Sequence, residues 1–265
     1  MSQISSVFKK RGKALIAYIT AGYPDIKATP EIAGELAASG ADIIELGIPF
    51  SDPLADGATI QKASYQALQN GTTPGKCLEA AAAIRKRITT PLVFMTYYNP
   101  ILNYGLGNFC RSCTKAGING LIVPDLPPEE GAELEEVTRK NDLDLIYLLA
   151  PTSTGARITA VAERSRGFIY LVSLTGVTGA REALPPELES FVKRVRQKTK
   201  KPLCVGFGIS SAEQAKRVAR TADGVIVGSR LVELIEADNT LAPLKTFVAG
   251  LRQALDSMKK NREVN

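Results

Sequence analysis

Apolar positions along this chain follow two periods that alternate from one end to the other. Short, nearly unbroken apolar runs, the pattern of strands buried on both faces, predict strands at Ala14–Thr20, Asp42–Leu46, Leu92–Tyr97, Gly120–Val123, Asp144–Leu149, Phe168–Ser173, Leu203–Gly206 and Gly224–Val227. Between them apolar residues return every three or four positions, as on one face of a helix. Ile32 and Leu36 mark such a helix before Gly40, another runs from about Thr59 to Gln69, and Cys77, Leu78, Ala81, Ile84 and Ile88 predict an extra one. Leu188, Phe191, Val192 and Val195 form a further stripe. Ser210-Ser-Ala-Glu213 has the spacing of a capping box, and Leu244, Phe247, Val248 and Leu251 line the last helix, near Leu241 to Met258.

Strict strand–helix alternation requires a parallel sheet, and eight such units close naturally into a (β/α)8 TIM barrel, an α/β fold, here with extra short helices. A doubly wound open sheet is the structural competitor. No fixed-period repeat, low-complexity segment or linker divides the 265 residues. A single domain spanning residues 1–265 is therefore expected, a size that α/β barrels routinely reach.

Such barrels carry their chemistry on the loops after the strands, and the most unusual of these follows the second strand: Glu45-Leu-Gly-Ile-Pro-Phe-Ser-Asp-Pro-Leu-Ala-Asp-Gly57. It frames one loop with two acids, Glu45 at a strand end and Asp56 before Gly57. Bland roles exist for both, a salt-bridged strand end and a helix N-cap. A carboxylate closing an apolar strand is nonetheless costly to bury unpaired, and the loop holds more turn chemistry than a plain connection needs. Glu45 shares a strand face with Ile43, and Tyr170 shares one with Phe168 and Val172; if those faces point inward, a carboxyl and a phenol enter one mouth. The third, fourth and sixth loops carry Tyr97-Tyr-Asn-Pro100, Pro124-Asp125 and Leu174-Thr-Gly-Val-Thr-Gly179. Gly206-Phe-Gly208 closes the seventh strand and Gly228-Ser229 the eighth, before a short apolar helix over Leu231–Ile235. Glycines let backbone N–H groups approach an anion, and the short helix aims its N-terminus at it, which predicts a phosphate site. Gly105-Leu-Gly107 lacks the third glycine of a dinucleotide fingerprint and is expected to be a loop.

Composition narrows the chemistry. The net charge of +6 comes from scattered basic residues, which suits a solvated surface and disfavours nucleic acid. No apolar run is long enough to cross a membrane and no signal-peptide core opens the chain, so a cytoplasmic location is expected. Of the four cysteines, Cys110 and Cys113 form a lone CxxC. With no second pair and no histidine, a metal site is not expected. The absence of histidine also leaves acid–base work to Glu, Asp, Tyr, Lys or Cys. No lysine lies in a strand interior, which disfavours a Schiff-base aldolase.

Three stretches, Glu45 to Gly57, Gly176-Val-Thr-Gly179 and Gly206-Phe-Gly-Ile-Ser-Ser211, resemble the α subunits of tryptophan synthase, over about Ala14 to Met258. The resemblance implies a (β/α)8 barrel that cleaves indole-3-glycerol phosphate by retro-aldol chemistry into indole and glyceraldehyde 3-phosphate, without metal or organic cofactor. It makes Glu45 the acid–base and Asp56 the second catalytic carboxylate. Tyr18 and Ile122 would line the indole pocket with Tyr170 beside the substrate, Gly179, Gly208, Gly228 and Ser229 would grip the phosphate, with Phe207 a further substrate-binding residue in the same loop, and Thr178 would ride on a closing sixth loop. Some members carry a basic residue at the position of Leu174. A pyridoxal-phosphate β subunit, in an α2β2 complex, is the implied partner, with the Ser51–Asp56 loop near the interface. The competing reading is a subunit that binds a phosphorylated ligand without turning it over; the presence of both acids argues against it.

Overall fold

The structure is a computed structural model that describes residues 2–10, 12–172, 187–206 and 208–260. In chain order its elements are α1 (Gln3–Lys10), β1 (Ala14–Thr20), α2 (Thr29–Ala38), β2 (Ile43–Gly47), α3 (Ala58–Gln69), α4 (Pro74–Arg85), β3 (Leu92–Met95), α5 (Tyr98–Tyr104), α6 (Leu106–Lys115), β4 (Gly120–Ile122), α7 (Ala132–Lys140), β5 (Asp144–Ile146), β6 (Leu148–Leu149), α8 (Gly155–Arg164), β7 (Ile169–Val172), α9 (Leu188–Arg196), β8 (Leu203–Gly206), α10 (Ala212–Ala219), β9 (Gly224–Val227), α11 (Ser229–Ala237) and α12 (Ala242–Lys260). A 3-10 turn, Pro128–Glu130, precedes α7. Every strand pair is parallel, in the order β5-β4-β3-β2-β1-β9-β8-β7-β6.

The two ends of that order are consecutive in sequence, so the chain itself closes the ring. The fifth predicted strand is one strand broken at Tyr147, whose N–H donates to Ser165 Oγ (3.1 Å) while its carbonyl accepts the Tyr170 N–H (3.0 Å). This is a (β/α)8 barrel with additional helices, and the open-sheet alternative falls. The third strand is shorter than its apolar run suggests. It ends at Met95, because Asp125 on the fourth loop accepts the Tyr98 N–H (2.9 and 3.2 Å) and turns the chain into α5. Gly105, at φ +85°, separates α5 from α6, and Gly107, expected in a loop, is helical. The capping box of α10 sits one residue later than its spacing suggests: Ser211 Oγ accepts the Gln214 N–H (3.3 Å) and Gln214 Oε1 accepts the Ser210 N–H (2.8 Å).

The alternation of strand side chains gives two cores. Leu15, Ala17 and Ile19 pack outward under the helices, whereas Ala14, Ile16, Ile43, Val93, Ile122, Ile146, Phe168, Cys204 and Ile226 fill the barrel interior. The floor of that interior is closed by α1, which contributes Ile4 and Val7. Two glycines make the socket: a Cβ at Gly120 would stand 2.8 Å from Ile4 Cδ1, and one at Gly167 3.0 Å from Ile4 Cγ2. Around the same end, the buried Arg252 guanidinium of α12 donates to Asp42 Oδ2 (2.7 Å) and to the Lys13 carbonyl (3.1 Å), tying the last helix to the first two strands. Among the described residues no helix is long and apolar enough to cross a membrane.

Ile4 is fully buried and its socket cannot collapse around a smaller residue without moving strand backbone. Ile4→Ala should therefore cost about 2–4 kcal/mol of stability, measured by chemical denaturation; an unchanged midpoint would show that α1 does not seal the floor.

Candidate active site

At the opposite end of the barrel the interior turns polar. Register fixes where: Tyr18 of β1, Glu45 of β2 and Val93 of β3 are direct neighbours across the sheet, so the Glu45 carboxyl points inward one level above Ile43, as the alternation predicts. Glu45 is fully buried and neither carboxylate oxygen has a hydrogen-bond partner among the described residues. Loss of water, and then the neighbouring charge of Asp56, push its pKa up to about 8. A carboxyl in that state holds its proton at neutral pH and can give it up to a substrate.

Asp56 reaches the same space from the loop between β2 and α3. It does not cap α3, whose N-cap is Gly57 without a side-chain cap bond. Its Oδ2 instead accepts the Tyr97 hydroxyl (3.2 Å). Burial raises its pKa to about 6, with the Tyr97 hydrogen bond acting in the opposite direction. The two acids are thus driven apart: one protonated and one ionised near neutrality, the arrangement acid–base catalysis needs.

Two phenols complete the mouth. The Tyr18 hydroxyl lies 3.3 Å from Thr20 Oγ1, and a Cβ on Gly47 would come within 2.2 Å of it. The Tyr170 hydroxyl would meet a Cβ on Gly206 at 2.6 Å. These two strand-end glycines are therefore the spaces into which the phenols lean, a role for Gly206 distinct from anion binding. Burial first, and then the charges of Asp56 and Glu45, hold Tyr18 well above the usual phenol range; Tyr170 is held up in the same way, with Glu45 the leading charge. Ile122 lies within the interior layer. Met95, two residues beyond Val93, and Leu148, two beyond Ile146, are partly buried on the same interior face, and sequence reasoning did not single them out. Period-two alternation would have found Met95. The same alternation, running on from Ile146, would have found Leu148.

Gly208 has φ +53°, the left-handed conformation glycine favours. Gly228 is the N-cap of α11 and uses no side chain, and the half-buried backbone there is followed by buried Ser229 at the first helical position. The first N–H groups of a helix have no acceptor within it, so α11 offers a positive end and a hydroxyl to an anion. Thr178, Gly179 and Phe207, together with Gly176 and Leu174, lie outside the described residues. Among the described residues no group of three or more Cys, Asp or Glu is placed to hold a metal ion. Cys110 and Cys113 are buried within α6, where burial raises both thiols, Cys110 to about 11. They are core residues rather than a reactive pair.

Comparison with known proteins fits this geometry. The family profile described as Tryptophan synthase alpha chain matches residues 4–261. The tryptophan synthase alpha chain of Dehalococcoides mccartyi is 59% identical over 256 residues, covering 97% of this chain and 100% of that one; that of Citrifermentans bemidjiense is 50% identical over 262 residues, covering 96% and 98%. Among solved structures, Mycobacterium tuberculosis tryptophan synthase superposes with a TM-score of 0.91 at 40% identity, covering 96% of this chain and 98% of that chain. The alpha subunit from Legionella pneumophila superposes at 0.89 and 39% identity, covering 97% and 99%. With nearly the whole length matched at such identity, this chain belongs to the tryptophan synthase alpha chain family.

Proposed function

We propose that this chain, acting as one domain, cleaves indole-3-glycerol phosphate to indole and glyceraldehyde 3-phosphate, the α reaction of tryptophan biosynthesis. The observation that carries the reading is the buried Glu45 carboxyl, without a hydrogen-bond partner among the described residues, facing a second acid, Asp56, at the mouth of the barrel.

The chemistry explains each group. Indole leaves as a carbanion equivalent only after its C3 is protonated, and protonated Glu45 supplies that proton. Positive charge then develops on the ring nitrogen, and the Asp56 carboxylate stabilises it. The Glu45 carboxylate formed in the first step next takes the proton of the glycerol hydroxyl adjacent to the ring. As that hydroxyl becomes the aldehyde carbonyl, the carbon–carbon bond breaks, and its electron pair returns to the ring and restores neutral indole. Glu45 ends protonated, ready for the next turnover. Tyr18, Ile122 and Tyr170, with Met95 and Leu148, enclose the indole. Gly208, Gly228 and Ser229, with Gly179, grip the phosphate, and Phe207 belongs to the same loop as Gly208. Thr178 belongs to the loop expected to close over the bound substrate and exclude water.

Membership of the family implies a β-subunit partner that receives the indole, and we propose an α2β2 assembly with the Asp56 loop at its edge. Leu54, on that loop, is 93% exposed, an apolar side chain that a partner surface would cover. Four unpaired, buried thiols and the lack of a membrane-crossing helix among the described residues support a cytoplasmic location.

Purified chain given indole-3-glycerol phosphate should release indole slowly alone and much faster with a tryptophan synthase β subunit. No release under either condition would favour a binding subunit, and fast release alone a free-standing lyase. Glu45→Gln should lower kcat by about three orders of magnitude while substrate still binds; turnover near the wild-type rate would remove Glu45 from the chemistry. Ser229→Asp sets a negative charge against the phosphate and should raise KM about tenfold or more. An unchanged KM would move the phosphate site elsewhere.

A further inference from the structure

Asp56 differs from Glu45 in being carried by a loop rather than a strand, so something other than the sheet must fix its carboxylate. Ser64 Oγ of α3 accepts the Phe50 N–H (3.1 Å), and Gln61 Nε2 donates to the Asp56 carbonyl (2.9 Å) and the Pro53 carbonyl (3.4 Å). These hold the loop's backbone. Among the described residues only the Tyr97 hydroxyl holds both backbone and carboxylate: it accepts the Ala55 N–H (2.8 Å) and donates to Asp56 Oδ2 (3.2 Å).

The phenol is itself held. Tyr97 is the residue before α5, fixed there by the two hydrogen bonds from the next residue's N–H to Asp125, and its ring packs on Phe50 with centroids 5.2 Å apart. With a lone pair of its oxygen engaged by Ala55, the hydroxyl keeps one proton to give, and Asp56 is where it goes. A neutral phenol donating to a carboxylate favours the charged form of that carboxylate.

We propose that Tyr97 is a positioning residue of the cleavage reaction, its hydroxyl fixing the Asp56 carboxylate against the indole nitrogen. This rests on the function proposed above. Among the described residues the ionisable groups facing Asp56 are Glu45 from β2, Tyr18 from β1, Tyr170 from β7 and Tyr97 from the third loop; Tyr97 in turn faces Asp125. Among them Tyr97 alone donates to the Asp56 carboxylate, and it opposes the effect of burial there. Without the hydroxyl Asp56 should protonate at higher pH.

The test is indole release as a function of pH by the full chain with a β subunit, for wild type, Tyr97→Phe, Asp56→Asn and the double variant. Phenylalanine keeps the ring against Phe50 and removes only the hydroxyl. We expect kcat to fall about tenfold or more, the range of a hydrogen bond to a charged group, with KM changed less than about threefold and the acidic limb of the kcat/KM profile moved upward by about half a unit or more. In the Asp56→Asn background the further loss on Tyr97→Phe should vanish, since the hydroxyl acts through that carboxylate. An unmoved acidic limb, or an equal loss in both backgrounds, overturns the proposal; so does a Tyr97→Phe chain that does not fold, which would make the hydroxyl a requirement of the fold. If wild type itself releases no indole, the proposed function fails. If wild type turns over and only the Tyr97 predictions fail, that function stands.

Discussion

The constraint on which the structure depends is the burial of an ionisable carboxyl that has no hydrogen-bond partner among the described residues. Removing Glu45 from water is unfavourable, and the molecule meets this by keeping the proton on: burial and the nearby Asp56 raise the pKa to about 8. The same condition that makes the residue expensive makes it an acid at neutral pH. A strand end is the place where such a condition can be imposed, because the strand's backbone bonds are satisfied by its neighbours and the side chain has no freedom to turn toward solvent.

Everything beneath Glu45 serves that placement. The interior below it, from Ile43 down to Ile4 of the floor helix, is packed with apolar side chains, with the buried Asp144 carboxylate beside Ile4 at the floor. Above it, glycines rather than larger residues occupy the strand ends at Gly47 and Gly206, because the Tyr18 and Tyr170 phenols need that space. The strand side of the mouth is therefore aromatic, and the loop side carries the Asp56 carboxylate. Strands two and one supply the acid and its phenolic neighbour, while strands eight and nine end in the glycines and helix start suited to an anion. One ring of parallel strands thus brings a carboxyl, two phenols and a helix start suited to an anion to the same end of the barrel.

Asp56 shows a second way of fixing a functional group. Its loop has no sheet to hold it, and the necessary bonds are borrowed from α3 and from the turn that opens α5. The side chain with the most constrained chemistry is held by a neighbouring loop, itself pinned by the next loop through Asp125. Consecutive loops brace one another around the mouth, which explains why the sequence between β2 and α3 is so rich in proline, glycine and short polar residues.

How much of this the chain declared in advance follows from which signals are local. Strand and helix order, the inward direction of Glu45 and Tyr170, and the anion-suited start of α11 rest on period and spacing, and those are local properties of the sequence; the resemblance of the Glu45–Gly57 stretch to a known family supplied the reaction. The break at Tyr147 was invisible because its cause, the Ser165 hydroxyl, is eighteen residues away. The early end of β3 was invisible for the same reason, since Asp125 belongs to the next loop. Tyr97 stood in view as a loop residue, yet nothing in its neighbours along the chain points to Asp56, forty-one residues earlier. Sequence determined which residues lie on strands and which faces they present, because backbone geometry repeats over two to four residues. Only the closed barrel decided which of those faces and loops meet, because the hydrogen bonds that set the acid pair and bend the strands join residues far apart in the chain.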